Sequence, residues 1–254
     1  MQVFLFFSLY LPGVLAQSRS VTVDPATAIL GGNALMTYTL TLEPGDDFSF
    51  LAWFKSNENG VEGESIITNI TGNPQPSGRY SLSDNGSLII SNVEVEDAGY
   101  YLFRVVTTNS DMAENVSDLT VYYLDAPTLM PKEKSVIINT TATFLCPLPD
   151  GVPTPIIITW IKNGGVLNVS DTEKYPQSDT TLEISGVNEM DEGDYQCQTE
   201  NSAYSGDEGK LSNTGTLSLF RPTFPSTTSI ASSFSVGRSS LHSYFLYVRL
   251  FANE

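Results

Sequence analysis

Few residues of this sequence have side chains that could carry out catalysis or bind a metal ion. The chain of 254 residues contains a single histidine, His242, and two cysteines, Cys146 and Cys197. A catalytic triad, or a zinc site built from histidine and cysteine, needs more of these residues than the chain supplies. We therefore expect no enzymatic activity, no metal site and no cofactor.

Acidic clusters are the other candidates for chemistry. The most prominent are Asp46-Asp47, Glu94 with Glu96, and Asp191-Glu192 with Asp194. Carboxylates can bind calcium, or act in pairs on glycosidic bonds. A dedicated calcium loop spaces its oxygen ligands regularly, and these clusters lack that spacing. Nothing in the sequence indicates a cleft between paired carboxylates either, so we interpret the clusters as solvated surface.

The charge of the chain excludes further classes of partner. It has 12 Lys and Arg against 29 Asp and Glu, which gives a net charge of −17. Such a field repels polyphosphates and anionic lipid surfaces. Hydrophobic residues make up 41% of the chain, enough for folded cores. We expect a folded protein that binds neither nucleic acid nor a small-molecule substrate.

Several signals indicate an extracellular protein. Residues 1–16 are predicted to be a signal peptide, because an apolar run too short to span a bilayer ends in Val14-Leu15-Ala16. In an oxidising compartment Cys146 and Cys197 can pair. Five N-x-[ST] sequons are candidate glycosylation sites: Asn69, Asn85, Asn115, Asn139 and Asn168.

The C-terminal segment, residues 221–254, is predicted to be a Ser/Thr-rich stalk or an irregular tail. Its apolar run from Tyr244 to Phe251 contains an arginine and is too short to span a membrane. We expect either a protein that is secreted as written, or a cell-surface protein whose anchor exon is missing from this sequence.

The central part of the chain predicts two all-β domains, residues 17–124 and 128–220. Short alternating segments separated by Gly, Pro, Asn and Asp indicate strands. In the second domain Cys146 is followed by Trp160 and then by the motif Asp191–Cys197. This is the immunoglobulin signature, with Tyr195 at the tyrosine corner.

The first domain repeats this pattern without cysteines. The motif Asp97–Phe103 has Phe103 in place of the cysteine. Counting back from Trp53 places Tyr38 at the other cysteine position, in strand B. We predict that these two aromatic residues replace a disulfide by packing between the sheets. Arg79 is placed to pair with Asp97, a familiar feature of variable-type immunoglobulin domains.

Residues 17–220 resemble the carcinoembryonic-antigen-related cell-adhesion molecules. The matching stretches are Leu51–Lys55, Gly78–Tyr80, Asn85–Ile90, Asp97–Tyr101 and the junction from Val121 to Pro127. The resemblance implies a variable-type domain without a disulfide, followed by a disulfide-bonded domain of the C2 or I type. It also implies that the G-F-C-C′ sheet of the first domain binds partners.

Alternation along strands C and F sorts the side chains of this sheet. With Trp53, Tyr101 and Phe103 pointing inward, the outward residues form one apolar patch around an arginine, which is typical of interfaces. The predicted partner-binding residues are Ser49, Phe50, Ala52, Phe54, Leu102, Arg104 and Val106. The alternative is that the C′–C″ hairpin covers the patch or that it is only half-exposed. A glycan at Asn115 would lie close by.

The sequence thus predicts a glycosylated extracellular protein for cell adhesion or cell-surface recognition. Its partner is a protein on cell surfaces, bound homophilically or heterophilically, and a weak homodimer is one expected form. The alternative is a secreted decoy or immune modulator that occupies a receptor or a microbial adhesin.

Overall fold

The computed structural model describes residues 19–70, 73–74, 78–176 and 180–221. The predicted signal peptide and, apart from Arg221, the predicted tail lie outside these residues. The described chain consists of β-strands and three short 3₁₀ turns, Val95–Asp97, Glu189–Asp191 and Gly206–Glu208. Among the described residues, no helix has the length and hydrophobicity needed to cross a bilayer.

The first domain is a β-sandwich of two antiparallel layers. Its strands are β1 Ser20–Val23, β2 Ala26–Ile29, β3 Asn33–Met36, β4 Tyr38–Thr41, β5 Phe48–Ser56, β6 Glu62–Ile70, β7 Asn73–Pro74, β8 Tyr80–Leu82, β9 Leu88–Ser91, β10 Gly99–Thr107 and β11 Met112–Leu124. One layer has the order β7-β6-β5-β10-β11, with β2 parallel to β11. The other contains β3-β9-β8 and the pair β1-β4.

Alternating side chains create the core between these layers. In β2 and β3 every second residue is buried, as a sheet with one solvated face requires. Trp53, Tyr101 and Phe103 are fully buried in this core. Tyr38 stacks on Phe103 with ring centroids 4.0 Å apart, and Trp53 lies 4.9 Å from the same ring.

The second domain is a smaller sandwich. Its strands are β12 Glu133–Val136, β13 Ala142–Leu145, β14 Gly151–Val152, β15 Ile157–Lys162, β16 Gly165–Val166, β17 Thr181–Ile184, β18 Gly193–Glu200, β19 Lys210–Leu211 and β20 Gly215–Leu219. The order β12-β20-β18-β15-β16 faces the pair β13-β17. Cys146 and Cys197 form the predicted disulfide, and Trp160 packs in the same core.

The two sandwiches are joined by continuous backbone pairing. Strand β11 runs out of the first domain and pairs with β14, Tyr123 opposite Val152 and Leu124 opposite Gly151. The Tyr204 hydroxyl donates to the backbone carbonyl of Tyr122 at 3.2 Å. The predicted all-β class with two tandem immunoglobulin-like sandwiches is confirmed, and the junction adds a hydrogen-bonded contact between them.

Candidate interaction face

The predicted partner-binding residues lie on β5 and β10 of the β6-β5-β10-β11 layer. Register pairs Leu102 with Phe54, Arg104 with Ala52, and Val106 with Phe50. Phe50, Ala52, Phe54 and Leu102 form a hydrophobic group that is separate from the main core. Alternation therefore assigned them to the side of the sheet that the structure shows.

The centre of this face is closed to solvent. Ala52, Phe54 and Leu102 are 0%, 7% and 2% exposed, and Phe50 packs partly buried against them. We call Ala52, Phe54 and Leu102 the buried strip. The burial of these side chains agrees with the alternative stated above, in which the predicted patch is covered. Most of the strip is therefore not available for direct contact with a partner.

Arg104 helps to cover the buried strip. Its guanidinium lies 5.1 Å from the centre of the Phe54 ring, a cation–π contact. Nη1 donates to Glu62 Oε2 at 2.6 Å, and Nε donates to Glu114 Oε2 at 2.9 Å. Burial lowers the pKa of Arg104, but the two carboxylates outweigh burial and leave it raised. This arginine is thus a paired cation that bridges β6, β10 and β11.

Ser49 uses its hydroxyl within the sheet. Oγ lies 3.1 Å from the carbonyl oxygens of both Val106 and Thr107, to which it donates. The register between β5 and β10 shifts at this point, as in a β-bulge. The predicted contact role of Ser49 therefore coincides with a structural role in holding the strand ends together.

The exposed part of the face lies next to the β10–β11 hairpin. Met112 is opposite Val106, which is opposite Phe50, so the three residues form one row across three strands. Met112 is 58% exposed, and Phe48 at the start of β5 is 42% exposed. Phe48 is opposite Thr107, which is buried and adjoins Val106, so the register places Phe48 on the other side of the sheet. We call Phe50, Val106 and Met112 the hairpin patch.

The sequence prediction omitted Met112. Met112 could have been found by extending the alternation to strand G, because the neighbouring Ala113 packs against the core.

An ion-pair network orders the loops beside the hairpin patch. Arg19 Nε donates to Asp46 Oδ2 at 2.5 Å, and its Nη2 lies 3.0 Å from Asp111 and 3.6 Å from Glu43. Asn109 donates to the other oxygen of Asp46 at 2.7 Å. The hydrogen bond from Arg19 lowers the pKa of Asp46. The first described residue of the chain thus joins the loop before β5 to the β10–β11 hairpin.

The residues predicted to be structural form two matching corners. In the first domain Arg79 Nη1 donates to Asp97 Oδ2 at 2.6 Å, and the Tyr101 hydroxyl donates to the Asp97 carbonyl at 2.7 Å. In the second domain the Tyr195 hydroxyl donates to the Asp191 carbonyl at 2.7 Å. Burial raises the pKa of both tyrosines, so both stay neutral donors.

The candidate glycosylation sites differ in accessibility. Asn85, Asn139 and Asn168 are exposed, and Asn69 is half-buried in β6. Asn115 Oδ1 accepts a hydrogen bond from the Val23 backbone N–H at 3.0 Å, so its side chain points toward β1. A glycan at Asn115 would start on that side of β11 and not on the outer face.

The acidic clusters do not assemble into a cation site. In the part of the chain that the structure describes, no group of three or more His, Cys, Asp or Glu residues is arranged to hold a metal ion. Asp97 and Asp191 instead accept hydrogen bonds at the two corners.

Comparison with known proteins identifies the class of both domains. Residues 22–122 match the immunoglobulin V-set domain family, and residues 127–201 match a second family described as immunoglobulin domain. Both domains are therefore immunoglobulin domains, and the protein is a member of the immunoglobulin superfamily.

Similar proteins include two that are much longer than this chain. Netrin receptor DCC of Homo sapiens is 30% identical over 243 residues, which are 87% of this chain and 16% of that protein. Roundabout homolog 3 of Homo sapiens is 29% identical over 169 residues, 63% of this chain and 12% of that protein. The chain thus spans less than a fifth of the length of these relatives.

Solved structures that are similar to this chain include murine CEACAM1b. It is 24% identical in sequence, with 79% of this chain and 100% of that chain covered and a TM-score of 0.47. The comparisons establish the superfamily and do not establish the narrower resemblance to the carcinoembryonic-antigen-related molecules.

Proposed function

We propose that this protein acts in extracellular recognition or adhesion by binding a protein partner through the hairpin patch of its first domain. Three features support an extracellular setting: the disulfide, the exposed sequons and the similarity to a netrin receptor. These features do not identify the surface that binds the partner. We infer that surface from the exposed side chains of the first domain.

The single observation that carries the proposed site is the row of Phe50, Val106 and Met112. Large apolar side chains that lie together on a solvated sheet face are unfavourable in water unless a partner covers them. Met112 is 58% exposed and lies beside the apolar Val106, its partner on β10. The paired strands beneath the row are rigid, which lowers the entropy cost of binding.

The buried strip supports this site without forming the contact itself. It packs under Phe50 and fixes the position of that ring. Arg104, held by Glu62 and Glu114, closes the strip beside the row. We expect a partner to contact the hairpin patch and the outer edge of Arg104.

A pair of methionines provides a matched test. Met112 in the hairpin patch and Met190 in the second domain are 58% and 82% exposed, so a charged residue fits at either place without unfolding the protein. The full chain, secreted with its glycans and made tetravalent, is applied to a panel of cultured cells and read by flow cytometry. Met112→Asp is expected to reduce binding at least about tenfold, as expected for a central contact. Met190→Asp is expected to bind as the wild type does.

Circular dichroism of both variants checks that the fold is kept. Equal binding by Met112→Asp and the wild type on every responsive cell line would refute the site. Wild-type protein that binds no cell and does not associate with itself would refute the function as well.

A further inference from the structure

The first domain carries a large excess of negative charge. Residues 19–124 include four basic side chains and fourteen acidic ones, a net charge of −10. The question is whether any of the four cations is free to meet an acidic partner.

Each of these cations is already engaged within the domain. Arg19 and Arg104 pair with carboxylates at the two sides of the hairpin patch, as described above. Lys55 Nζ donates to the Asp97 carbonyl at 2.9 Å and lies 4.3 Å from the centre of the Tyr101 ring. Arg79 pairs with Asp97 and Glu94. Within residues 19–70 and 78–124, every basic side chain therefore has an acidic or carbonyl partner.

Carboxylates with access to solvent surround the hairpin patch. Glu114 is two positions from Met112 on the same face of β11, and its side chain is 41% exposed. Asp111 lies at the hairpin with its side chain 49% exposed. Asp47 is exposed, and its backbone carbonyl accepts from the Thr108 N–H at the hairpin at 2.8 Å. Asp111 and Glu114 pair with Arg19 and Arg104, but each arginine faces more than one carboxylate, so the edge of the apolar patch is negative overall.

This arrangement selects among partners. A second copy of the chain would bring the same carboxylates against this edge in a twofold contact, and like charges that face each other oppose association. A surface with an apolar residue among Lys or Arg would fill the patch and pair with Asp47, Asp111 and Glu114. We infer that the hairpin patch binds a protein surface that presents an apolar side chain surrounded by basic residues, and not a second copy of this chain. This inference rests on the proposed function.

A peptide library provides the probe. The full glycosylated chain is immobilised, and a phage library of random dodecapeptides is selected against it. Enriched peptides are expected to combine Lys or Arg with an aromatic or large aliphatic residue. A synthetic peptide of that sequence is then titrated by fluorescence anisotropy. Raising NaCl from about 50 to about 500 mM is expected to weaken its binding at least about tenfold, because salt screens exposed charges.

Variants locate the peptide. Met112→Asp is expected to abolish peptide binding. Asp47→Asn, which keeps the side-chain acceptor for the Phe48 N–H, is expected to weaken binding about threefold. Met190→Asp, and Asp207→Asn at an exposed carboxylate of the second domain, are matched controls that should bind normally.

Failure of this inference can be told from failure of the proposed function. No enrichment, enriched peptides without net positive charge, binding insensitive to salt, or binding retained by Met112→Asp would each overturn the inference. Sedimentation velocity that shows a dimer abolished by Met112→Asp would also overturn it, yet would leave the hairpin patch as the binding site. Cell binding unaffected by Met112→Asp would instead refute the proposed function.

Discussion

The two domains hold their β-sheets together in different ways at the same position of the fold. In the second domain Cys197 of β18 is covalently bonded to Cys146 and lies opposite Trp160. In the first domain Phe103 of β10 lies opposite Trp53, and Tyr38 stacks on it at 4.0 Å. One link is a covalent bond and the other is aromatic packing, so only one of them depends on the redox state of the surroundings.

The corners of the two domains, by contrast, are nearly the same. In both, a tyrosine hydroxyl donates to the backbone carbonyl of an aspartate at 2.7 Å. In both, the carboxylate of that aspartate accepts from a backbone N–H three residues earlier at 2.8 Å. The difference is the cation, which is Arg79 in the first domain and Lys174 in the second. The comparison thus isolates two variables, the link between the sheets and the cation at the corner.

The largest effect is expected from removing the aromatic link. Phe103→Ala should lower the free energy of unfolding of the first domain by about 3–5 kcal/mol, because it leaves a cavity beside Tyr38 and Trp53. The measurement is a urea titration read by hydrogen exchange of peptides from each domain. Phe103→Leu, which refills much of the volume, should cost less. Equal losses in both domains would show that the domains unfold together and that the comparison does not hold.

Reduction of the disulfide should affect only the second domain. The bond joins residues separated by 51 positions, and the loop-closure estimate for that length is about 4 kcal/mol. The same titration in the presence of a reductant should show this loss in peptides of the second domain. Peptides of the first domain should be unchanged, and a shift of the first domain by more than about 1 kcal/mol would contradict the separation of the two links.

Sequence patterns predicted the elements that depend on local spacing. The Asp-x-Gly-x-Tyr motifs located strand F of both domains, and the tryptophans located strand C. Alternation then assigned Phe54 and Leu102 to the outer side of their sheet. The burial of Phe54 was beyond that approach, because it depends on Arg104 and on Glu62, which is separated from Arg104 by 42 positions. Alternation indicates the direction of a side chain, and only the register of β6 and β11 indicates what lies over it.

The corner cation is expected to have an intermediate effect. Arg79 donates to both oxygens of Asp97, at 2.6 and 3.0 Å, and Asp97 is 2% exposed. Arg79→Ala should cost the first domain about 2 kcal/mol, because a nearly buried carboxylate loses charge-assisted hydrogen bonds while Arg79 itself was partly solvated. Arg79→Lys should recover part of the lost stability, because Lys174 forms an ion pair with one oxygen of the equivalent aspartate, Asp191, in the second domain. If lysine restored the full stability, the second hydrogen bond from Arg79 to Asp97 would contribute nothing to it.

The smallest expected effect is that acid pH removes the stability contributed by Asp97. Burial raises the pKa of Asp97, but hydrogen bonds from Arg79 and from the Glu94 backbone N–H outweigh it and leave the pKa lowered. A lowered pKa adds stability that is present above the unfolded value of about 3.9 and is lost as pH falls through the folded value. The gap in melting temperature between the wild type and Asp97→Asn should therefore be constant between about pH 5 and 7 and narrow below about pH 4. Scanning calorimetry measures this gap, and Asp84→Asn, at an exposed turn, is the control variant. A gap that stays constant down to about pH 2, or that closes near neutrality, would mean that the Arg79–Asp97 pair is not the source of the stability.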